Sequence, residues 1–358
     1  MIGRAAARPR AQIVGMGLIG GSLGLALRDR GWIVTGRDAQ ESRAERALEM
    51  GALDLVGSDP DADLTFVAVP VSSIADEVRR ALDETTGLVT DVGSVKASVT
   101  AAIDDPRFIG GHPMAGSERE GVDGSDASLF TGAVWVLTPT ATTDNTAFTQ
   151  VRGVVSQLGA EVVSLTPTDH DALVAIVSHV PHLTAATLMV LADARSSDQR
   201  ALLRLAAGGF RDMTRVASGH PGIWPDICAE NREAIVDVLD ELIDRLGSVR
   251  ELVASDDADK LVTHLERART ARMNLPMRFG RPTRLVEILV PVADETGALA
   301  PIVTLATELD VNIWNLELSH SAEGHAGVLH LVVEEKRADE LRAALVDLGH
   351  AASSRRLV

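Results

Sequence analysis

Along the first 166 residues, short apolar runs alternate with amphipathic stretches, the rhythm of strands joined by helices. "AQIVGMG" from Ala11 predicts a strand running into a turn. "WIVTGRD", "ADLTFVAVP", "GLVTDVGS" and "RFIGGHPM" predict further strands, and "GAVWVLTPT" and "AEVVSLT" extend the sheet to about residue 166. Strands separated in this way pack as a parallel sheet with helices on its faces.

The period changes after that. Residues 167–278 read almost entirely as helix, with "PTDHDALVAIVSHVPHLTAATLMVLADA" and "IWPDICAENREAIVDVLDELIDRLGSVRELVAS" as long periodic segments. Several faces are apolar beyond what one helix can hide, so this region is expected to pair with a second copy as a homodimer. "NLPMRFGRPTR" at 274–284 reads as a Pro/Gly/Arg linker. Residues 284–358 then run strand, helix, strand, strand, helix, strand, which is the ferredoxin-like βαββαβ plan. Three domains are expected, at 1–166, 167–278 and 284–358.

Composition narrows the function classes. The chain has 358 residues, 46% of them apolar, enough for real cores. A formal net charge of −17 argues against nucleic acid or an anionic membrane as partner. A small anionic substrate is still allowed, because charges act over roughly 8 Å and one buried arginine can set a pocket. The single cysteine, Cys228, fits a reducing cytoplasm. "MIGRAAARPR" is Arg-rich but too short before the first strand to be a transit peptide. The apolar run from Ala172 is broken by two histidines and a proline, a poor membrane span.

The first strand ends in G-x-G-x-x-G, formed by Gly15, Gly17 and Gly20. Gly15 permits the tight turn, Gly17 lets the backbone approach a pyrophosphate, and Gly20 lets helix and strand pack closely. The N-terminus of the following helix adds N–H donors for phosphate. Asp38 closes the second strand about 20 residues on, where a carboxylate accepts from a ribose 2′-OH. This register predicts a Rossmann-type dinucleotide site. Met16, Leu18 and Ile19 in the turn and Pro70 at the end of the third strand complete the expected cofactor contacts. Asp38 favours NAD by repelling a 2′-phosphate. Arg37 beside it can stabilise that phosphate, which makes NADP the alternative.

Strand ends at the carboxyl edge of such a sheet face the ligand crevice. Ser94 in "DVGSVK" and His112 in "GGHPMAGSE" end the fourth and fifth strands, so both can reach the nicotinamide end. The glycine pair before His112 removes side chains beside the cofactor, and Pro113 holds His112 extended.

"VGMGLIGGSLG", "DVGSVK", "GGHPMAGSEREG", "SHVPH" and "GGFRDMTRVA…IWPDICAEN" together resemble the TyrA family, the prephenate and arogenate dehydrogenases of tyrosine biosynthesis, over about residues 11–275. The tail resembles an ACT domain, an amino-acid-sensing module. The resemblance implies a cyclohexadienol substrate with two carboxylates, hydride transfer from the hydroxyl-bearing ring carbon to NAD, loss of carbon dioxide and aromatisation. It implies His112 as the general base, help worth about 10²–10⁴-fold, with Ser94 bonding His112, the substrate hydroxyl or the nicotinamide. Prephenate is the expected substrate and arogenate the alternative.

The resemblance further implies that Arg215 clamps a substrate carboxylate, a task suited to a bidentate guanidinium. Arg211 is expected to be solvated. His182 is implied in the substrate pocket, and Ser117 and Glu118 at its mouth, although Ser117 also suits a helix cap. Trp224 and Asp226 match a stretch near the substrate. His179, beside Pro181, is expected to be structural. His170 could join His179 and His182 on a metal, but the chemistry needs none and none is expected. In the tail, Asp294, Gly297 and Asn312 are positioned to hold an amino-acid effector, tyrosine first. The competing readings are another dehydrogenase built on the same sheet, and a non-catalytic NAD- and amino-acid-sensing protein.

Overall fold

The computed structural model describes residues 8–116, 119–196, 205–255, 257–275, 285–293, 295, 297–320 and 326–356. They form two compact units, residues 1–254 and 255–358.

The first unit is built on an eight-stranded sheet. Its strands are β1 (Arg10–Val14), β2 (Ile33–Arg37), β3 (Leu55–Val56), β4 (Leu64–Val67), β5 (Leu88–Asp91), β6 (Phe108–Pro113), β7 (Val134–Thr138) and β8 (Glu161–Ser164), in the spatial order 3-2-1-4-5-6-7-8. The chain first runs outward from β1 to β2 and β3, then returns to β4 on β1's other side. That reversal opens a crevice at the carboxyl ends of β1 and β4. Ala11 and Ile13 pack on one face against Leu23 and Leu27 of the helix Leu18–Arg28. Val14, Val67 and Val89 pack on the other, against Ile74 and Val78 of the helix Val71–Glu84. Burial on both faces explains why these strands read as continuous apolar runs.

One ladder departs from the parallel sheet expected. β6 and β7 are antiparallel, pairing His112 with Val136 and Gly111 with Leu137. A parallel return needs a crossover helix. Between β6 and β7 the described residues carry turns and one short 3-10 helix, Val122–Gly124, but no crossover helix. β3 was not expected at all, since two exposed residues make no readable pattern.

The helices that follow belong to the same compact unit. The long segment from Pro167 is not one regular helix. Pro167–Val174 passes through a wide π turn, Ala175–His179, into Val180–Ser196. Pro181 has no N–H to give the preceding turn, and widening the spiral relieves its ring clash. The segment read as continuous from Ile223 also breaks, at Asn231, between helices Trp224–Glu230 and Arg232–Ala254. Residues Pro167–Arg195 are long and apolar enough to cross a membrane by composition alone, and much of their apolar surface is exposed. Ile176, Val177, Val190, Leu191, Met213, Ile243 and Leu246 are all more than half exposed. A groove of about 610 Å³ lies between these helices, lined by Val180, Leu188, Met213, Val238 and Leu242 among others.

The second unit contains the helix Ala258–Met273 and strands β9 (Leu285–Ala293), β10 (Ile313–His320), β11 (Ala326–Glu334) and β12 (Ser353–Arg356), with helices Ala300–Glu308 and Glu335–Asp347 between them. The sheet is antiparallel throughout, in the order β10-β11-β9-β12. This is the βαββαβ connectivity the pattern predicts. Its core is the inward face of β9 and β11, with Ile288, Val290, Leu329 and Leu331 against Ile302 and Leu341.

Candidate active site

Each fingerprint glycine has its own reason. Gly15 has φ +97°, and a Cβ there would lie 2.4 Å from the Ala68 carbonyl oxygen. A Cβ on Gly20 would lie 1.9 Å from the Gly15 carbonyl oxygen. Gly17 differs, because a Cβ there would meet nothing within 4 Å. Packing therefore does not require glycine at 17, whereas close approach of a pyrophosphate does. Asp38 accepts the Met16 N–H at 2.8 Å through one oxygen and the Gln40 N–H at 2.8 Å through the other. It braces the turn and keeps lone pairs for a ribose. Arg37 is ion-paired with Glu77 at 2.8 Å, which takes it away from the phosphate-binding role weighed for it. The guanidinium beside Asp38 is that of Arg43, 3.9 Å away.

A cavity of about 290 Å³ runs from this turn along the sheet edge. Gly17, Leu18, Ile19, Pro70 and Ser94 line it, opposite Ile223 and Asp226 of the helical part. The residues fit a dinucleotide: a side-chain-free approach at Gly17, an acid at the end of β2, and an apolar slot ending at Ser94.

His112 lies one strand further on, within β6 rather than in a turn, and is 8% exposed. It is not bonded to Ser94. Its Nδ1 lies 2.8 Å from Nε2 of His170, whose Nδ1 lies 2.7 Å from Oδ1 of Asp171. Asp171 also accepts the backbone N–H groups of Lys96 and Ala97, each at 2.8 Å. These bonds assign the tautomers. A carboxylate only accepts, so His170 Nδ1 carries the proton and its Nε2 must accept. His112 then donates from Nδ1 and presents an unprotonated Nε2. Burial first, then neighbouring His170, Lys96 and His179, push the His112 pKa well below its usual 6.5, so the ring is neutral at pH 7.

Two further contacts hold this histidine's surroundings. Lys96 and Asp91, both fully buried, form an ion pair. Asp91 accepts the Gly111 N–H at 3.1 Å and the Gly93 N–H at 2.9 Å, tying the ends of β5 and β6 together. Buried Asn231 donates to the Asp171 carbonyl at 2.8 Å and approaches His179 Nδ1 at 3.2 Å. Burial lowers the His179 pKa to about 4.

The helical part brings further expected site residues together. His182 stacks on Trp224 with ring centroids 3.8 Å apart, and His179 meets the same indole edge-on at 6.1 Å. Arg215 is exposed and opens the tight turn Arg215–Ser218, which packs on the helix carrying His182. Ser117 and Glu118 lie outside the described residues, as does Asp294. Gly297 has φ +91°, and Asn312, just before β10, lines a separate cavity of about 200 Å³ with Asp310 and Arg337. No cluster able to hold a metal occurs among the described residues.

Sequence reasoning missed the His112–His170–Asp171 chain, treating His170 only as a metal candidate. The signal was the adjacent His170-Asp171 pair at the start of the helical region. It missed Lys96 and Asp91 as well, five positions apart in "DVGSVK".

A nucleotide-binding sheet joined to helices that carry histidines and arginine defines a class of dehydrogenase architecture. Residues 23–164 match the model of the prephenate dehydrogenase nucleotide-binding domain, and residues 166–267 that of the prephenate dehydrogenase dimerization domain. Prephenate dehydrogenase of Bacillus subtilis is 32% identical over 348 residues, covering 92% of this chain and 94% of its own. The structure of A. aeolicus prephenate dehydrogenase in complex with hydroxyphenyl propionate and NAD+ superposes with a TM-score of 0.71 at 29% identity, covering 76% of this chain and 100% of the other. Synechocystis arogenate dehydrogenase gives 0.64 at 33% identity, covering 74% and 98%. The chain belongs to the prephenate dehydrogenase family, whose named relatives are oxidoreductases.

Proposed function

We propose that this chain catalyses the NAD-dependent oxidative decarboxylation of prephenate to 4-hydroxyphenylpyruvate. The observation that carries the reading is the Asp171–His170–His112 chain, which leaves one imidazole nitrogen neutral and ready to accept a proton at the sheet's crevice edge. NAD, when bound, supplies the hydride acceptor. His112 Nε2 takes the hydroxyl proton as the ring carbon loses hydride, and returns it when the ring oxygen becomes phenolic. Loss of the ring carboxylate as carbon dioxide makes the ring aromatic, so the protein has mainly to orient and to move that proton. Asp38 and the Gly17 turn hold the dinucleotide. Ser94 closes the cavity's reactive end. Arg215 clamps a substrate carboxylate, and His182 and Trp224 form a stacked wall for the substrate.

Arogenate is the second reading, favoured by the similarity to Synechocystis arogenate dehydrogenase. Following NADH absorbance with prephenate and with arogenate, under NAD and under NADP, tests both readings. Turnover of prephenate with NAD is expected, and no turnover of either substrate would overturn them.

The exposed apolar helices and their groove support a homodimer, and the family model that matches them is a dimerization domain. We read residues 284–358 as an ACT domain that senses an amino acid, with tyrosine as inhibitor, and the whole as a cytoplasmic enzyme. Their βαββαβ order and the left-handed Gly297 support that assignment. Deleting residues 284–358 should abolish tyrosine inhibition; inhibition that survives would place the effector site in residues 1–283, with the catalytic domains.

A further inference from the structure

The cavity beyond the glycine turn is nearly devoid of polar side chains. Its walls are glycine, alanine, proline, valine, leucine and isoleucine, except for Ser94 and Asp226. Asp226 comes from the helix Trp224–Glu230 and faces the sheet edge from the opposite wall. Ser72, near the start of the helix after β4, donates to Asp226 Oδ2 at 2.6 Å. That short, charge-assisted bond fixes the carboxylate's position. Oδ1 has no hydrogen-bond partner among the described residues.

We propose that Asp226 is a positioning residue for the cofactor, its Oδ1 accepting an N–H from the nicotinamide carboxamide. The inference rests on the reading that this cavity binds NAD. Val69, Val92 and Ile19 offer the ring only apolar contact. The carboxamide is the ring's one substituent with N–H donors, and a buried donor left unpaired is costly. Asp226, an acceptor only, meets that need. Its charge also attracts the cationic ring of NAD+ more than the neutral ring of NADH, which favours product release.

Equilibrium binding tests this without turnover. Dissociation constants of NAD+, NADH and the 3-acetylpyridine analogue of NAD+, which lacks the carboxamide N–H, are measured for the full-length chain and for D226A, D226N and S72A. The wild-type chain should bind NAD+ more tightly than the analogue. D226A should weaken NAD+ by about 10- to 100-fold, the worth of a hydrogen bond to a charged group, and erase the discrimination against the analogue. D226N, isosteric and able to accept, should retain that discrimination but lose part of the preference for NAD+ over NADH, and it covers the case of a misfolded alanine variant. S72A should move NAD+ in the same direction as D226A, by less. Equal weakening of NAD+ and the analogue in D226A would assign Asp226 to a ribose hydroxyl and overturn the proposal, as would unchanged affinities in both Asp226 variants. A wild-type chain that bound no NAD+ would sink the cofactor reading itself.

Discussion

The sheet and the helices that follow it share one compact unit, yet they treat apolar surface in opposite ways. The strands of the sheet are packed on both faces, and its few exposed large apolar residues, Leu48, Leu55 and Val56, sit at one edge. The helices leave Ile176, Val177, Val190, Leu191, Met213, Ile243 and Leu246 in the open. The sheet thus completes its own core, whereas the helices carry exposed apolar surface, as the proposed homodimer requires. Chemistry is divided in the same way. The proposed proton acceptor His112 is on the sheet, while His170 and Asp171, to which it is hydrogen-bonded in series, are on the first helix of the other part.

The largest effect expected from breaking that division is on His112. H112N should lower kcat by about 10²–10⁴-fold and leave the dissociation constant for NAD+ near its wild-type value, since the glycine turn is untouched. Near-normal kcat would remove the sheet's claim to the chemistry. Next is the helical anchor. R215A should raise KM by roughly 100-fold, the scale of a lost bidentate charge pair, again with NAD+ affinity unchanged. An unaltered KM would place the carboxylate clamp elsewhere.

A smaller effect is expected at the apolar surface. I243D places a charge on the exposed helix face and should shift the protein from dimer to monomer in sedimentation at micromolar concentration. A dimer that persists would mean that these helices do not form the interface.

The smallest effect is on pH. Burial depresses the pKa of His112 and His179 in the native state, so the unfolded chain binds protons that the native one refuses. Stability should be complete above the unfolded value of 6.5 and fall as pH drops toward about 4, the folded value of His179. At 1.36 kcal/mol per pH unit, His179 accounts for about 3 kcal/mol of that loss. Urea melts between pH 4 and 8 measure it, and a flat profile would show that neither ring is held neutral.

Much of the sheet was legible, because strand runs and fingerprint glycines are local signals with fixed spacing. Gly15, Gly17, Gly20 and Asp38 occupy the places their order requires. The reversed β6–β7 ladder was not legible, since direction depends on what lies between two strands and not on their own patterns. His112 could be picked out by its glycine and proline neighbours, but its partner lies 58 residues away. Of the three partners weighed for Ser94, the His112 option does not form, since nearness along the sheet edge does not decide which side chains meet. The break at Asn231 was invisible because that amide serves Asp171 and His179, both remote in sequence.

The π turn at Ala175–His179 acts as a phase adjuster. It holds one residue more than a regular spiral would, and one residue is worth about 100° of rotation. His170 and His179 both end up buried in one hydrogen-bonded cluster with Asp171 and Asn231, while Ile176 and Val177 between them face outward. Removing a single residue from that turn would swing every later side chain of the helix by the same angle, unseating His182 from Trp224 and redirecting the apolar face beyond it. The stacked His182–Trp224 pair and the exposed surface are geared to one another through this single extra residue.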